Sequence, residues 1–188
     1  RRMLVAMQME EFMTRRYELR FNRMKGCKEY RERHSLFTDY RPVTAEAVKS
    51  ICFEAQLEGI SAIEYDVQRY VDSRRVSHYW PIEEFLFDLP HWDGQDRIRA
   101  LADCVPCENK EWRDFFYIWF LSMVAHWLQM DREHANSTSP LLVGPQGCRK
   151  SSFCQSLLPP ELRPYYVDGI DLGSRKDAEM ALNRFALI

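Results

Sequence analysis

Residues 139–153 read Ser139-Pro140-Leu141-Leu142-Val143-Gly144-Pro145-Gln146-Gly147-Cys148-Arg149-Lys150-Ser151-Ser152-Phe153, and this segment sets the fold class expected for the chain. The apolar run at 141–143 predicts a short buried strand, and 153–158 continues with the pattern of a helix. Between them lie two glycines and a Lys-Ser pair. A strand, a glycine-bearing loop and a helix in this order are typical of a P-loop, which binds phosphate groups.

The residue types in this loop match the chemistry of phosphate binding. Gly144 and Gly147 let the backbone turn so that successive N–H groups point at phosphate oxygens. Lys150 would contact the β- and γ-phosphates and is the predicted catalytic residue, and the Ser151 hydroxyl would coordinate Mg²⁺. Arg149 stands where the commonest form of the pattern has glycine. The predicted nucleotide-binding residues are Gly144, Pro145, Gln146, Gly147, Cys148, Arg149, Lys150, Ser151 and Ser152.

Downstream of the loop, the sequence predicts two further strands and a helix. Residues 165–168 and 185–188 have strand-like patterns, and 176–183 has helical spacing. In ATPases with such a loop, acidic residues at the end of a strand hold Mg²⁺ through water, and this sequence has none after Ile188. We therefore expect the chain as given to bind phosphate but to hydrolyse ATP poorly. We also expect the strands at 141–143 and 185–188 not to pair directly.

Before the loop, the sequence predicts a small β-hairpin and then a helical region. The first part consists of a helix over 1–16, alternating apolar and polar residues over 17–22, a Lys-Gly turn and a returning strand over 27–31. The chain accordingly divides into a helix plus β-hairpin (1–40), a helical region (41–135) and an incomplete P-loop core (136–188).

Capping residues place two helices after the hairpin. Thr44 is the predicted N-cap of a helix that ends near Gly59, and Ser61 is the predicted N-cap of the next. Such a pair is typical both of a DNA-reading helix-turn-helix and of a simple packing unit.

The following segments lead to one long helix. Residues 81–88 and 97–103 are predicted as short helices, the second capped by Asp96. Trp92 is expected to anchor the turn between them to the core. Residues 112–128 carry apolar side chains at i, i+3, i+4 and i+7 spacing, which predicts a central helix buried against several neighbours. His126 is expected there as a core histidine bonded to a backbone carbonyl.

Composition excludes several classes of protein. Apolar residues make up 46% of the 188 residues and aromatic residues 13%, which is enough for a packed core. The six cysteines fit reduced thiols, although Cys104 and Cys107 have the spacing of half a zinc site. The uncharged stretch 115–130 is too short to cross a membrane, and the sequence shows no secretory signal. We therefore expect a cytoplasmic protein with no membrane partner.

Charge is distributed unevenly along the chain. Residues 1–40 carry a net charge of +4 and residues 41–188 a net charge of −6. The basic start is compatible with binding to nucleic acid and also with an ordinary solvated surface.

With these motifs assembled, the sequence resembles the virulence-associated E family, which contains primase-helicase-like proteins of phages and mobile elements. The likeness rests on the hairpin at 17–31, Leu89-Pro-His-Trp-Asp-Gly-Gln-Asp-Arg-Ile98, the aromatic helix at 112–127, the loop at 142–153, and Leu157-Leu-Pro-Pro160 with Tyr165-Tyr166. The resemblance implies an α/β fold. A mostly helical N-terminal region with a small β-hairpin would be followed by the first part of a core similar to superfamily 3 AAA+ ATPases.

By the same resemblance, the complete protein would be an ATP-driven motor in the replication or mobilisation of an element. ATP and Mg²⁺ are the implied cofactors, single-stranded or duplex DNA is the implied partner, and a homo-oligomeric ring is the implied assembly. Gly144, Gly147, Lys150 and Ser151 carry over as nucleotide-binding residues, with Ser152 as a secondary candidate.

Two other functions stay open on the sequence. A nucleoside or small-molecule kinase also uses such a loop, and it predicts an arginine-rich lid; Arg163, Arg175 and Arg184 are available but not clustered. A non-catalytic helical nucleic-acid-binding module would leave Lys150 without a role. Binding of labelled ATP with and without the substitution Lys150→Ala identifies the non-catalytic module, and hydrolysis stimulated by single-stranded DNA would favour the motor over the kinase.

Overall fold

The computed structural model describes residues 2–36, 38–130, 138–169, 173–176 and 186. Within these residues the protein is mixed α/β and mostly helical, with seven α-helices, one 3₁₀-helix and a four-stranded mixed sheet. The predicted α/β class is therefore confirmed. The chain forms two compact units, Arg1–Pro81 and Ile82–Ile188.

A β-hairpin forms the centre of the sheet in the first unit. Strand β1 (Tyr17–Asn22) pairs antiparallel with β2 (Cys27–Glu32), and Gly26 in the turn takes a φ of 65°, which glycine adopts without strain. Strand β3 (Arg41–Pro42) pairs with β2, and β4 (Ser77–Tyr79) runs parallel to β1, which gives the order β3-β2-β1-β4. The predicted hairpin is confirmed.

Three helices share a hydrophobic core with this sheet. They are α1 (Arg2–Arg16), α2 (Ala45–Leu57) and α3 (Glu64–Val71). Burying one of the larger core side chains contributes about 2 kcal/mol, so this core is the main stabilising feature of the unit. Its buried members are Met9, Phe12, Met13, Tyr17, Val48, Ile51, Cys52, Ala55, Ile60, Ala62, Val67 and Val71.

One of the two predicted helix caps in this unit is correct. The Thr44 side chain accepts a hydrogen bond of 3.2 Å from the Ala47 N–H at the start of α2, as predicted. Ser61 does not cap α3, because that helix begins after Ile63, whose N–H donates to the Asp66 carboxylate at 3.1 Å. The carboxylate three residues into the turn thus satisfies the backbone N–H of the N-cap residue. The DNA-reading alternative for α2 and α3 stays a prediction.

Glu29 on β2 is a buried carboxylate, and only 2% of its surface is exposed. It accepts hydrogen bonds from Arg20 (2.9 Å), Lys25 (3.0 Å) and Asn22 (3.2 Å), and Arg20 is itself stacked between two tyrosine rings. Burial opposes ionisation of this group, but the three hydrogen bonds together outweigh burial and hold the pKa of Glu29 below its ordinary value.

The first unit continues past the boundary predicted at residue 40. Strands β3 and β4 both lie after that residue and complete the sheet through hydrogen bonds to the hairpin. The chain segment up to Pro81 therefore belongs to one compact unit. Whether 1–40, 41–135 and 136–188 act as separate domains stays a prediction.

The second unit is organised around its longest helix. The helices are α4 (Pro81–Phe87), which begins at the boundary, α5 (Arg97–Ala102), α6 (Trp112–Trp127), α7 (Lys150–Ser156) and the 3₁₀-helix Arg163–Tyr165. The helices predicted at 81–88, 97–103 and 112–128 are thus confirmed to within a residue or so at their ends. A core of Ala102, Phe116, Trp119, Met123 and Leu157 joins α5, α6 and the end of α7.

Helix α6 is buried along one face only, which corrects the sequence prediction. Phe116 and Trp119 are buried, whereas Phe115 and Ile118 are 56% and 61% exposed. In the part of the chain that the structure describes, α5 and α7 both pack on the Phe116 side and leave the opposite side open. His126 is exposed and is not the core histidine that was predicted.

Two predicted strands are not formed. Residues 141–143 have no regular secondary structure, and the segment predicted as a strand at 165–168 instead begins with the end of the 3₁₀-helix and a single bridge residue, Tyr166. A strand requires a partner for its backbone hydrogen bonds, and no strand of the described residues pairs with 141–143. The predicted helix at 176–183 and strand at 185–188 lie outside the described residues, except for Lys176 and Ala186.

Candidate functional site

The glycine loop, residues 144–151, contains two residues with left-handed backbone conformations. Gly147 has a φ of 83°, and Arg149 has φ 64° and ψ 29°. Left-handed residues two positions apart reverse the chain within a few peptides, and α7 begins at once with Lys150. Arg149 thus has a left-handed conformation, which glycine would adopt without strain.

Gly144 lies where a side chain would crowd the loop. A Cβ atom at this position would stand 3.2 Å from the Cys148 sulfur, which is closer than nearly all Cβ contacts in proteins. The glycine at 144 is therefore explained by close approach of the two ends of the loop, whereas Gly147 is explained by its positive φ.

Lys150 turns its side chain back into the loop. Its Nζ donates hydrogen bonds of 2.9 Å to the carbonyl oxygens of Gly144 and Pro145, and it lies 3.4 Å from the Cys148 sulfur. The ammonium group is thus held over the loop by dipoles that a negatively charged oxygen could replace. A cation inside a curved, glycine-dependent loop fits a polyphosphate ligand.

The structure brings together only part of the predicted site. Lys150 contacts Gly144, Pro145 and Cys148. By contrast, Ser151 and Ser152 are exposed on the first turn of α7, and Gln146 is exposed in the loop. Among the described residues, no three His, Cys, Asp or Glu side chains are grouped so that they could hold a metal ion. A serine ligand for Mg²⁺ at Ser151 therefore stays a prediction, as does the role of Lys150.

Packing of α7 against α6 fixes the loop on its helical side. The Phe153 ring lies 6.1 Å from the Phe116 ring, and Leu157 at the end of α7 is buried in the same core. Ring pairs at this distance contribute about 1 kcal/mol beyond the area that they bury. Helix α7 is thus packed against the buried face of α6 through Phe153 and Leu157.

The segment Trp92–Arg97 forms a compact polar turn rather than a core anchor. Arg97 makes two hydrogen bonds to the Asp93 carboxylate, at 2.7 and 2.6 Å, and these hold the pKa of Asp93 well below its ordinary value. The Trp92 indole donates to the Gln95 carbonyl at 3.1 Å, but the residue is 78% exposed. The prediction that Trp92 reaches the core is wrong, because this local hydrogen bond keeps the ring beside the turn.

Helix α5, which follows this segment, is capped at its start and is held to α6 by two side chains. Asp96 caps α5 as predicted by accepting from the Arg99 N–H at 3.0 Å, and the Arg99 side chain pairs with Asp114 at the start of α6. The Trp112 indole donates to the Ala102 carbonyl at 3.0 Å and closes the other end of α5 onto α6. Sequence reasoning did not find these Arg99 and Trp112 contacts, because nothing in the periodicity indicates which distant groups will meet.

Two further sequence expectations concern metals and membranes. Cys104 and Cys107 are exposed, and the described residues contain no metal-binding cluster that includes them. No helix in the described ranges has the length and apolar character that crossing a membrane requires. The cytoplasmic location stays a prediction.

Comparison with known families covers both the polar turn and the glycine loop. The family model described as the virulence-associated protein E-like domain matches residues 86–188, which is more than half of the chain. No curated protein and no solved structure matches the chain. The similarity to a superfamily 3 AAA+ core stays a prediction. The resemblance to the family itself is confirmed, and the chain belongs to the virulence-associated protein E-like family.

Proposed function

We propose that the glycine loop binds the phosphates of ATP with Mg²⁺, and that the chain is part of an ATP-dependent helicase or primase-helicase of a phage or mobile element. The observation that carries the proposal is the position of Lys150, whose ammonium group contacts two carbonyl oxygens inside a loop where a Cβ atom at 144 would stand 3.2 Å from the Cys148 sulfur. Membership of the virulence-associated protein E-like family supports the link to mobile elements.

When the nucleotide binds, Lys150 would change its hydrogen-bond partners and Ser151 would bind the metal ion. Lys150 would leave the carbonyl oxygens of Gly144 and Pro145 for phosphate oxygens, because an ammonium group is attracted more strongly to a negatively charged oxygen than to a neutral carbonyl. The Ser151 hydroxyl on the first turn of α7 would coordinate Mg²⁺. The metal ion supplies positive charge that offsets the charge of the phosphates.

DNA is the proposed partner of the protein, with single-stranded DNA as the form tested first and duplex DNA as the comparison. In the first unit, the Arg23 guanidinium lies 4.3 Å from the Trp80 ring, and the Phe21 and His78 rings lie 5.4 Å apart. Aromatic rings next to cations are surfaces on which bases stack. Residues 1–81 also carry a net charge of +3, which favours a polyanion.

Equilibrium binding of fluorescent ATP tests the nucleotide proposal. Lys150→Met should weaken binding by tenfold or more, because it removes the cation and keeps the length of the side chain. Lys110→Met, which removes an exposed lysine outside the loop, is the matched control and should bind as the wild type does. Equal binding by all three proteins would reject the loop as the nucleotide site.

Fluorescence anisotropy with a single-stranded oligonucleotide tests the DNA proposal and separates it from the kinase alternative. Trp80→Ala should weaken binding by about tenfold, as expected for the loss of one stacking ring. Leu57→Ala, which removes an exposed uncharged side chain at the end of α2, is the control and should bind as the wild type does. A kinase predicts no affinity for the oligonucleotide, and a non-catalytic nucleic-acid-binding module predicts DNA binding without ATP binding. Sedimentation with and without ATP then tests the proposed homo-oligomeric ring.

A further inference from the structure

The exposed side of α6 forms one wall of an apolar groove. The groove has a volume of about 340 Å³, and its second wall is the segment 138–141 that leads into the glycine loop. From α6 it receives the rings of Phe115, Phe116 and Trp119 and the side chain of Ile118. Among the residues that the structure describes, those lining the groove are apolar or uncharged.

The groove adjoins the glycine loop along the chain on one wall and shares a packing residue with α7 on the other. Phe116 lines it and also packs against Phe153, three residues after Lys150. On the other wall, Leu141 is three residues before Gly144, a separation of at most about 10 Å along an extended chain. This distance is comparable to the reach of a ribose and the first phosphates of a nucleotide. The two surfaces are therefore placed to hold two ends of one ligand.

The chemistry of the groove suits a flat, uncharged ring system. The exposed Phe115 ring of α6 and the Pro140 ring from the second wall offer stacking surfaces, and the Ser139 hydroxyl adds a polar atom at the edge. Small-molecule sites begin at about 300 Å³, so this groove is large enough for one base. Leu141 is 85% exposed and Phe115 56% exposed, which leaves both walls open to an incoming ligand.

We propose that this groove receives the nucleobase of the nucleotide whose phosphates bind to the glycine loop. The inference rests on the proposed function of that loop and adds to it the ligand's second point of attachment. It predicts that the protein binds a nucleoside triphosphate more tightly than inorganic tripolyphosphate, because only the former has a base to stack in the groove.

Calorimetric titration with ATP and with tripolyphosphate, each with Mg²⁺, tests the proposal on one variant from each wall. Phe115→Ala and Leu141→Ser should each weaken ATP binding, the former by about tenfold, and leave tripolyphosphate binding unchanged. Leu121→Ala, which is also exposed on α6 but does not line the groove, is the control and should bind both ligands as the wild type does. Both groove side chains are exposed, so their removal leaves the core intact.

Three results would overturn the inference, and they differ from failure of the loop assignment. Equal affinity of the wild type for ATP and tripolyphosphate, with no effect of the two variants, would reject the base site and retain the phosphate site. A mass by light scattering that falls with Phe115→Ala would show that a second copy of the chain covers the groove instead. Binding of neither ligand by the wild type would reject both the groove and the loop.

Discussion

Arg149 has a backbone conformation that is unfavourable for any residue except glycine. Its φ of 64° lies in the left-handed region, where an L-residue is destabilised by about 1 kcal/mol or more. The flanking geometry imposes this conformation, since Gly147 is left-handed as well and α7 begins with the next residue, Lys150. The backbone strain at position 149 therefore accompanies the loop geometry that places Lys150 over the loop.

We predict that Arg149→Gly stabilises the protein. Relief of the left-handed conformation is partly offset by the greater freedom of glycine in the unfolded chain, which leaves a gain of about 0.5 kcal/mol in the free energy of unfolding. Urea unfolding measures this difference. Ser152→Gly, in the helical part of the same segment, is the control and should lower stability by a similar amount. A loss of stability in Arg149→Gly would contradict the assigned conformation.

Glu29 makes the stability of the first unit depend on pH. Its pKa is depressed in the folded protein, so its contribution to stability is complete above the ordinary value of about 4.3 and is lost as the pH falls through the lower, folded value. Glu29→Gln should lower the free energy of unfolding by about 2 kcal/mol at pH 7 and by much less at pH 3. Urea unfolding at the two pH values checks this.

The exposed carboxylate Glu11 provides the control for that experiment. Glu11→Gln should keep the pH dependence of the wild type, because this side chain lies on the outer side of α1. If Glu29→Gln retained the full loss of stability between pH 7 and pH 3, the buried network would not be its source.

At the scale of the secondary-structure elements, the short helix α5 is stabilised by a hydrogen bond at each of its ends. Helix α5 has only six residues, which is too short for stability on its own. Its start is capped by Asp96, and its end is tied to α6 by the Trp112 indole. The Asp96 cap and the Trp112 hydrogen bond together hold α5 against α6, the helix on which α7 also packs.

Asp96→Ala should therefore destabilise the second unit. Loss of the cap costs about 1 kcal/mol, and the exposed ion pair to Arg99 adds little to this. Thermal unfolding followed by circular dichroism gives the measurement. Asp96→Ser keeps an oxygen that can cap the helix and should recover most of the loss. An equal loss in both variants would show that the charge, and not the cap, is what matters.

The elements that could be predicted from sequence are those with local causes. The hairpin follows from alternation and the Lys-Gly turn, α2 from the Thr44 cap, and α5 from the Asp96 cap. The strand expected at 141–143 failed because an apolar run cannot reveal whether a partner strand will lie beside it. The same limit applies to α6, where spacing predicts an apolar stripe but cannot tell which part of it finds a neighbour.

The candidate site was also predictable in part. The residue types identified Gly144, Gly147 and Lys150, and the structure places the Lys150 ammonium group against the loop that contains both glycines. The left-handed backbone of Arg149 and the apolar groove beside the loop were not predicted. Both depend on how the chain before and after the loop returns to α6, which is a matter of tertiary packing.

At the scale of the whole molecule, the two units have separate hydrophobic cores. The twelve-residue buried cluster of the first unit lies entirely within Arg1–Pro81, and the cluster around Phe116 lies within Ile82–Ile188. A unit of this size, with its own core and with all four strands of its sheet inside it, is large enough to fold alone.

We therefore predict that a fragment consisting of residues 1–81 folds independently. Its far-ultraviolet circular dichroism should show helix and strand, and it should unfold cooperatively in urea. Phe12→Asp, which places a charge in the core, is the negative control and should abolish the transition. A wild-type fragment without a cooperative transition would show that its core depends on the second unit.

The position of the nucleotide phosphates is tested most directly by the backbone amide chemical shifts of the protein during titration with MgATP. The account predicts that the largest shifts fall on residues 144–152, with smaller shifts in α6 near Phe115. It also predicts that Lys150→Met removes them. Shifts concentrated in other parts of the chain, or saturable shifts in 144–152 that persist unchanged in Lys150→Met, would contradict the assignment of the glycine loop as the phosphate site.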